Sequence, residues 1–364
     1  MSVDNKILTA NTPEMPVSDS IRRVLDWDIS NQKAASTQDT VLEVKDLKMH
    51  FPITKGLLKR QVGLVKAVDG VSFQLKRGQT LGIVGESGSG KSTVGNCVIR
   101  RMDITSGSII FNGTDISTMP RKELRPLRSQ MTMITQDPFS SLDPRMTIRE
   151  SILEGVRIHK LVTTKEEEDA LVDRMLMLVG LNPKFSNRYP HEFSGGQRQR
   201  ISIARGLALS PSFIVCDEIV SALDVSIQAQ IVNLMMRLQS ELQLTYVFIG
   251  HDLSVVRYIS DQVAVMYLGK FMEFTSSDEL YAHPLHPYTQ ALISAAPIPN
   301  PEVDLKRERI LLEGDPPSPI NPPSGCRFST RCKYCEARCR EEEPQMKEVA
   351  PGHFVACHKV TDGL

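Results

Sequence analysis

Three features common in other classes of protein are missing from this 364-residue sequence. No apolar run approaches the roughly 18 residues that span a bilayer, and the N-terminus lacks the basic-then-apolar pattern of a secretory signal. Lys and Arg together number 43, as do Asp and Glu, so no basic excess indicates a nucleic-acid partner. We therefore expect an intracellular protein that meets a membrane only through its surface or a partner.

Cysteine is nearly absent before residue 326. The two exceptions, Cys97 and Cys216, lie in apolar segments, where a thiol behaves as a small core residue. The other five fall in the last 39 residues: Cys326, Cys332, Cys335, Cys339 and Cys357. Thiolates this dense in an intracellular protein indicate a soft metal centre, with Zn²⁺ and an iron–sulfur cluster as candidates. Free cysteines in a flexible tail are the alternative.

The apolar pattern that begins at Val41 predicts an α/β fold. Alternation in VLEVKDL and VSFQL predicts half-buried antiparallel strands. The short apolar runs TLGIVG, FIVCDE and YVFIGHD predict buried parallel strands with functional groups at their carboxyl ends. Helical spacing lies between these runs, for example in Ile231, Leu234, Met235, Leu238 and Leu242.

Composition divides the chain into three segments. Residues 1–39 are polar and are expected to form a flexible extension, although IRRVLDWDI within them also fits a short amphipathic helix. Residues 40–280 carry the α/β pattern. Residues 281–364 contain twelve of the 22 prolines and five of the seven cysteines, which predicts a loop-rich C-terminal extension.

The stretch GESGSGKS matches the phosphate-binding pattern G-x4-G-K-[ST], and it stands between a predicted strand and a predicted helix. Its glycines let backbone N–H groups turn towards phosphate oxygens, and the helix N-terminus adds a partial positive charge. Lys91 is predicted to bind the β- and γ-phosphates of ATP, and Ser92 to ligate Mg²⁺. The residues expected to contact the nucleotide are Gly85, Glu86, Ser87, Gly88, Ser89, Gly90, Lys91, Ser92 and Thr93.

The carboxylates that end FIVCDE supply the partners that an ATPase needs. Asp217 is expected to hold Mg²⁺ through water, and Glu218 to orient or deprotonate the attacking water. Gln136, after MTMIT, is a further candidate for the metal and the water. His251, at the end of VFIGHD, is either a contact to the γ-phosphate or a structural histidine.

A second glycine-containing stretch, FSGGQRQR at 193–200, also has the pattern of an anion-binding helix start. A helix that begins near Ser194 offers the serine hydroxyl and the N–H groups of Gly195 and Gly196 to an anion. Two such loops can serve one nucleotide only if they bind opposite sides of it, within one chain or across two.

The order of these motifs, followed by SALD at 221–224 and then His251, resembles the ATP-binding cassette of ABC transporters. The resemblance implies two cassettes paired head to tail, with ATP held between the P-loop of one and the segment Ser194, Gly195, Gly196, Gln197 of the other. Asp224 would lie at the same interface. The implied fold has a mostly parallel core sheet, an antiparallel β subdomain and a helical subdomain at about 140–206.

Two details of the cassette pattern are less regular. The resemblance implies an aromatic residue that stacks on adenine, for which Phe51 in MHFP is the nearest candidate and a core or edge position the alternative. The chain has DEIV where similar proteins usually have DEP, and Gly250 where they have serine. We expect Ile219 to loosen the turn after Glu218 and to alter the hydrolysis rate without abolishing the chemistry.

Longer stretches, such as QDPFSSLDPRMTIRE, HPLHPYTQALISAAP and LLEGDPPSPINPPSGCRF, resemble the ATP-binding subunits of bacterial oligopeptide and dipeptide importers, of the second-cassette type. The implied partners are a second, different ATP-binding subunit, two transmembrane permease subunits and a periplasmic or lipid-anchored substrate-binding protein. The implied location is the cytoplasmic face of the bacterial membrane. No nucleic-acid partner is expected. Related importers carry nickel, opines or glycosides, so the solute stays open.

The same resemblance bears on the cysteines and on the competing functions. Cys326, Cys332, Cys339 and Cys357 match positions that hold a [4Fe–4S] cluster in some peptide importers, which favours a cluster, while Cys335 keeps the zinc alternative open. A soluble ABC ATPase acting on DNA or ribosomes is disfavoured by the single cassette and the absence of sustained heptads. A small-molecule P-loop kinase is disfavoured by FSGGQ.

Overall fold

The computed structural model describes residues 39–56, 60–137, 141–296 and 309–362, and the segment IRRVLDWDI lies outside these ranges. Its strands are β1 (Thr40–Lys55), β2 (Arg60–Lys76), β3 (Thr80–Val84), β4 (Ser106–Phe111), β5 (Thr114–Asp115), β6 (Met131–Ile134), β7 (Phe213–Asp217), β8 (Thr245–Ile249), β9 (Gln262–Tyr267), β10 (Lys270–Ser276), β11 (Lys347–Ala350) and β12 (His353–Val355). Its α-helices are α1 (Lys91–Val98), α2 (Arg121–Leu124), α3 (Ile148–Ile158), α4 (Lys165–Leu178), α5 (Gly195–Leu207), α6 (Val225–Leu242), α7 (Leu253–Ile259), α8 (Ser277–Ala282), α9 (Pro287–Ala295), α10 (Ala337–Glu341) and α11 (His358–Thr361). Among these helices, none is both long and apolar enough to cross a membrane.

The larger sheet has the order β11-β12-β10-β9-β3-β8-β7-β6. Strands β9, β3, β8, β7 and β6 are parallel, which confirms the prediction for the three short apolar runs. All residues of β3 and β8 are buried, because other elements of the fold cover both faces of the sheet. The carboxyl ends of β3, β7 and β8 therefore lie side by side.

The smaller sheet, of order β2-β1-β4-β5, is antiparallel, as the alternating patterns predict. Its apolar face packs with helix α1 and part of the larger sheet in one core. Val94, Cys97 and Val98 of α1 are all buried in that core. Cys216 of β7 is also fully buried, so both early cysteines are core residues as predicted.

Helices α3, α4 and α5 pack together beside the larger sheet, in the region expected to be helical. Each begins with a capping box, in which a serine or threonine and the side chain three residues later exchange hydrogen bonds with each other's backbone. Their apolar sides join the second core, which also contains β7 and α6.

The proline-rich C-terminal region contains more regular secondary structure than the loop-rich extension that its composition predicts. Strand β12 pairs with β10, and β11 pairs with β12, so the region extends the larger sheet. Tyr288 of α9 and Phe328 are buried against Tyr267 of β9, with ring centroids 4.7 to 5.5 Å apart. Proline composition does not exclude such short strands, because they pair at the sheet edge.

Candidate nucleotide site

The P-loop joins β3 to α1 in a conformation that requires glycine. Gly85 has φ +151° and Gly90 has φ +108°. A Cβ on either residue would lie 2.1 Å from a carbonyl oxygen, that of Met266 or of Ala67 respectively. Gly90 is the N-cap of α1 and has no side chain with which to cap it, so the first-turn N–H groups are available to an anion.

Lys91 places a buried ammonium group in this loop. Its Nζ donates to Gly85 O at 2.9 Å and to Glu86 O at 3.0 Å. Burial lowers the pKa of Lys91, and the carboxylates of Glu218 and Asp217 oppose that shift. The Ser89 hydroxyl is buried and has no hydrogen-bond partner among the described residues. This donor set fits the phosphates of a nucleotide.

Two of the three residues expected to hold Mg²⁺, Ser92 and Asp217, meet across the loop. Ser92 Oγ donates a hydrogen bond to Asp217 Oδ1 at 2.8 Å. Burial raises the pKa of Asp217, and the neighbouring Glu218 carboxylate raises it further. A divalent cation at this point would offset both effects, so the residues present fit a Mg²⁺ site.

Two of the three catalytic candidates, Gln136 and Glu218, are linked by a residue that the sequence did not single out, Ser221. Ser221 Oγ donates to Glu218 O at 2.9 Å, and Gln136 Nε2 donates to Ser221 Oγ at 3.3 Å. His251 Nδ1 lies 3.8 Å from Glu218 Oε2. Gln136, Glu218 and His251 therefore lie at the carboxyl ends of the neighbouring strands β6, β7 and β8.

The turn after Glu218 is packed against the core. Glu218 has φ +50°, and its N–H donates to Ile249 O at 2.9 Å. Ile219 is only 1% exposed and packs in the core. The effect of Ile219 on the hydrolysis rate stays a prediction.

The predicted second loop begins helix α5. Ser194 Oγ accepts from Gln197 N at 3.3 Å, and Gln197 Oε1 accepts from Ser194 N at 3.0 Å. A Cβ on Gly196 would lie 2.6 Å from the side chain of Ile227 in α6. Asp224 is the N-cap of α6, so it lies close to the second loop. Among the hydrogen bonds of the described residues, none joins 194–197 to the P-loop, so this chain does not bring its two glycine loops together by hydrogen bonding.

Phe51 is half-buried in β1, opposite Val65 of β2 in the strand register. Ala67, two residues after Val65, contacts Gly90 of the P-loop. The strand pair that carries Phe51 thus reaches the P-loop. Its stacking on adenine stays a prediction.

The four cysteines predicted as ligands line one small cavity of about 20 Å³, together with Phe328, Tyr334 and His358. Burial and the neighbouring thiols raise the pKa of Cys326 to about 12. Among the described residues, however, no three His, Cys, Asp or Glu side chains are arranged to hold a metal ion. The donor type fits a thiolate-bound metal, whereas the positions of these side chains do not form a ready-made site.

Two residues near the P-loop escaped the sequence analysis. Arg331 pairs with the Glu86 carboxylate, and the Tyr288 hydroxyl accepts from Glu86 N. Both lie more than 200 residues from Glu86 along the chain. No local pattern marks such a contact, although both residues fall within the C-terminal region.

A P-loop at the carboxyl end of a parallel sheet, with a strand-end carboxylate on its serine, is the nucleotide site of P-loop nucleoside triphosphatases and kinases. Residues 68–221 match the family model described as ABC transporter, and residues 272–339 match the model described as oligopeptide/dipeptide transporter, C-terminal region. The oligopeptide transport ATP-binding protein AppF of Bacillus subtilis strain 168 is 58% identical over 325 residues, which cover 89% of this chain and 98% of AppF.

Solved structures with the same fold are more distant in sequence. CbiO1 of Clostridium perfringens, part of the ABC transporter complex cbiONQ, has 26% identity and a TM-score of 0.59, covering 68% of this chain and 92% of its own. The ATP-binding cassette MJ0796 was solved as a dimer in a post-hydrolysis state with ADP and Pi. It has 26% identity and a TM-score of 0.57, and the match covers 65% of this chain and 98% of MJ0796. This chain belongs to the ATP-binding subunits of ABC transporters, in the oligopeptide transport ATP-binding family.

Proposed function

We propose that this chain hydrolyses ATP to power the uptake of dipeptides and oligopeptides through a membrane permease. The observation that carries the proposal is an ABC cassette and an oligopeptide-type C-terminal region in one chain, matched to AppF over nearly the whole of that protein. The permease and a periplasmic or lipid-anchored substrate-binding protein would select the solute. Nickel, opines and glycosides are therefore the alternative solutes.

The proposed roles of the site residues follow from their contacts. Lys91 and the N–H groups of the loop bind the phosphates, while Ser92, Asp217 and Gln136 hold Mg²⁺, which offsets phosphate charge when bound. Glu218 orients and deprotonates the attacking water, because its carboxylate follows Asp217 directly and its charge acts on both Asp217 and Lys91. His251 contacts the γ-phosphate from the other side of Glu218.

The proposed active form is a head-to-tail pair with a second, different ATP-binding subunit. Residues 194–197 would cover the γ-phosphate bound at the partner's P-loop, since their hydrogen bonds leave them apart from this chain's own loop. Val225, next to Asp224, is 81% exposed, which suits an interface. MJ0796, a cassette of the same fold, was solved as a dimer.

A groove of about 610 Å³ beside the helical layer is the proposed permease contact. It is lined by Ser141, Leu142, Asp143, Pro144, Arg145, Met146, Ser151, Glu154 and Arg205. Residues 141–146 of this lining follow Gln136 closely in sequence. A permease helix bound here would therefore be coupled to the part of the site that Gln136 contacts. The chain would act as a peripheral subunit, an ATP-hydrolysing translocase, on the cytoplasmic face of the membrane.

A second proposal concerns the cysteines. We infer that Cys326, Cys332, Cys339 and Cys357 bind a [4Fe–4S] cluster, with Zn²⁺ as the alternative, because residues up to 31 positions apart line one cavity. To bind either metal centre, the four cysteine side chains would have to rearrange. Protein purified without oxygen should be brown, with iron and sulfide in equal amounts. Colourless protein with bound zinc would support the alternative, and metal-free protein would contradict both.

The transport proposal is tested by isolating the native complex from membranes with a tag on this chain. We expect two multi-spanning permeases and a second ATP-binding subunit to co-purify. Vesicles containing the complex should then accumulate a labelled peptide in the presence of ATP and the binding protein. Recovery without permeases, or transport of nickel but not peptide, would contradict the proposal.

A further inference from the structure

Among the hydrogen bonds and ion pairs of the described residues, those that join the C-terminal region to the P-loop all involve Glu86. Arg331 Nη1 lies 2.9 Å from Glu86 Oε1 and 2.8 Å from Oε2, and the arginine side chain is only 8% exposed. Tyr288, which is fully buried, accepts a hydrogen bond from Glu86 N at 2.9 Å. The side chain and the backbone N–H of Glu86 are thus both held from outside the cassette motifs.

Glu86 in turn positions the lysine that the phosphates need. Glu86 O accepts from Lys91 Nζ at 3.0 Å, so a displacement of the loop at Glu86 moves the ammonium group. Arg331 also offsets the negative charge of a carboxylate that lies within the P-loop. Without the guanidinium, that charge would repel a bound polyphosphate.

The same region also contacts the opposite end of the predicted nucleotide site. Arg327 donates a hydrogen bond to Asp69, and the other carboxylate oxygen of Asp69 lies 2.9 Å from His50 Nε2. His50 directly precedes Phe51, the candidate for adenine stacking. In addition, Lys66 N donates to Pro319 O at 3.2 Å. The contacts therefore extend from the P-loop to the strand pair that carries Phe51.

Both arginines lie in the short stretch between two cysteines of the shared cavity, Cys326 and Cys332. Phe328, between the arginines, packs against Tyr288 with ring centroids 5.3 Å apart. Because this stretch is packed against the tyrosine that holds Glu86, a change in its conformation reaches the P-loop through two routes, the ion pair and the hydroxyl.

We propose that Arg331 and Tyr288 are positioning residues for the P-loop and that they couple the segment 326–332 to nucleotide binding. Such coupling is reciprocal, so loosening the segment weakens nucleotide binding, and bound nucleotide stabilises the segment. The inference rests on that part of the proposed function in which the P-loop binds nucleotide. It does not depend on the transported solute or on the cassette pair.

The first test measures Mg²⁺-ADP binding to the full chain with a fluorescent ADP analogue, because ADP does not require the partner cassette. Arg331→Met should weaken binding about tenfold, and Tyr288→Phe, which removes one hydrogen bond, about fivefold. The matched controls are Arg338→Met, which breaks exposed ion pairs in the same region, and Tyr281→Phe, whose hydroxyl bonds to Leu253 O instead. Both controls should stay within about twofold of the parent chain.

A double variant separates positioning from general damage to the fold. If Arg331 acts through Glu86, adding Glu86→Gln to Arg331→Met should recover most of the lost affinity, because the unpaired charge is gone. Unchanged affinity in both single variants, or strictly additive losses in the double variant, would overturn the proposal.

The second test needs no variant and decides the matter if the variants fail to fold. Amide hydrogen exchange of the unmodified chain is measured with and without Mg²⁺-ADP. Exchange should slow both in the P-loop and in residues 326–332. Slowing in the P-loop alone overturns the coupling and leaves the proposed function standing. No slowing in either place contradicts nucleotide binding, and the inference fails with it.

Discussion

Glu218 shows at the scale of one residue how backbone geometry positions a candidate catalytic group. Its φ of +50° is uncommon for a residue with a side chain, and two hydrogen bonds maintain it, from Glu218 N to Ile249 O and from Ser221 Oγ to Glu218 O. The turn directs the chain away from β7 directly after Asp217. The two adjacent acids can therefore take different tasks, one at the metal and one at the water.

We expect Glu218→Gln to lower ATP hydrolysis by at least about 100-fold while ATP binding stays within about twofold, because an amide accepts no proton. Turnover and nucleotide affinity are measured on the same preparation of the assembled complex. Glu166→Gln, an exposed position in the first turn of α4, serves as the control. Undiminished turnover in Glu218→Gln would assign the base to another residue.

At the scale of elements, the starts of the helices combine structural and functional roles. Helices α4 and α5 both begin with capping boxes, at Thr164 with Glu167 and at Ser194 with Gln197. A cap of this kind stabilises a helix wherever it stands. Only the cap at Ser194 belongs to the segment proposed to cover a partner's γ-phosphate.

The two caps therefore form a matched pair of tests. Thr164→Ala and Ser194→Ala should each lower the free energy of unfolding by about 1 kcal/mol, as measured by urea denaturation. Only Ser194→Ala should also lower the ATPase rate of the assembled complex. Equal rates in the two variants would mean that the Ser194 hydroxyl serves the helix alone.

A charge network joins helices α3 and α4. Arg157 and Arg149 of α3 both donate to Glu168 of α4, at 2.5 to 3.0 Å, and these hydrogen bonds lower the pKa of Glu168 to about 2 from its ordinary 4.5. The depressed pKa contributes stability that is present above pH 4.5 and is lost as the pH falls towards 2. In urea titrations across this range, Glu168→Gln should show a shallower loss of stability than the parent chain. Parallel curves would contradict the linkage.

At the scale of the whole molecule, one buried carboxylate fastens the C-terminal region to the core sheet. Glu273 of β10 is fully buried and accepts from Leu285 N and His286 N at 2.9 Å each. Its Oε1 lies 2.7 Å from His353 Nε2 of β12. One buried side chain thus joins two parts of the region that contacts Glu86 of the P-loop, the start of α9 and strand β12, to the core sheet.

Glu273→Ala should cost roughly 2–5 kcal/mol, because it leaves two buried N–H groups and a histidine ring without their acceptor. We expect limited proteolysis to release the C-terminal region before the cassette is cut. Asp278→Ala, at a neighbouring exposed acid, should leave stability within about 0.5 kcal/mol. Simultaneous digestion of both parts would contradict a separate anchor.

The parallel strands, the P-loop and the helix start at Ser194 were all predictable from the sequence, because each depends on contiguous residues. Burial on both faces leaves an unbroken apolar run, and a phosphate-binding turn requires glycines at fixed spacing. Ser221, Arg331 and Tyr288 were not predictable as parts of the site, and neither was the burial of Ile219. Their partners are brought close only by the packing of distant segments.

The sequence by itself determined the chemistry of this protein, since the order of local motifs specifies an ATPase and its family. Only the tertiary structure decided which distant residues contact the P-loop. Arg331 and Glu86 stand 245 residues apart, and they meet because β12 pairs with β10 and folds the C-terminal region back over the loop. A contact of that separation leaves no period or spacing in the chain, because its geometry comes from the whole fold rather than from either neighbourhood.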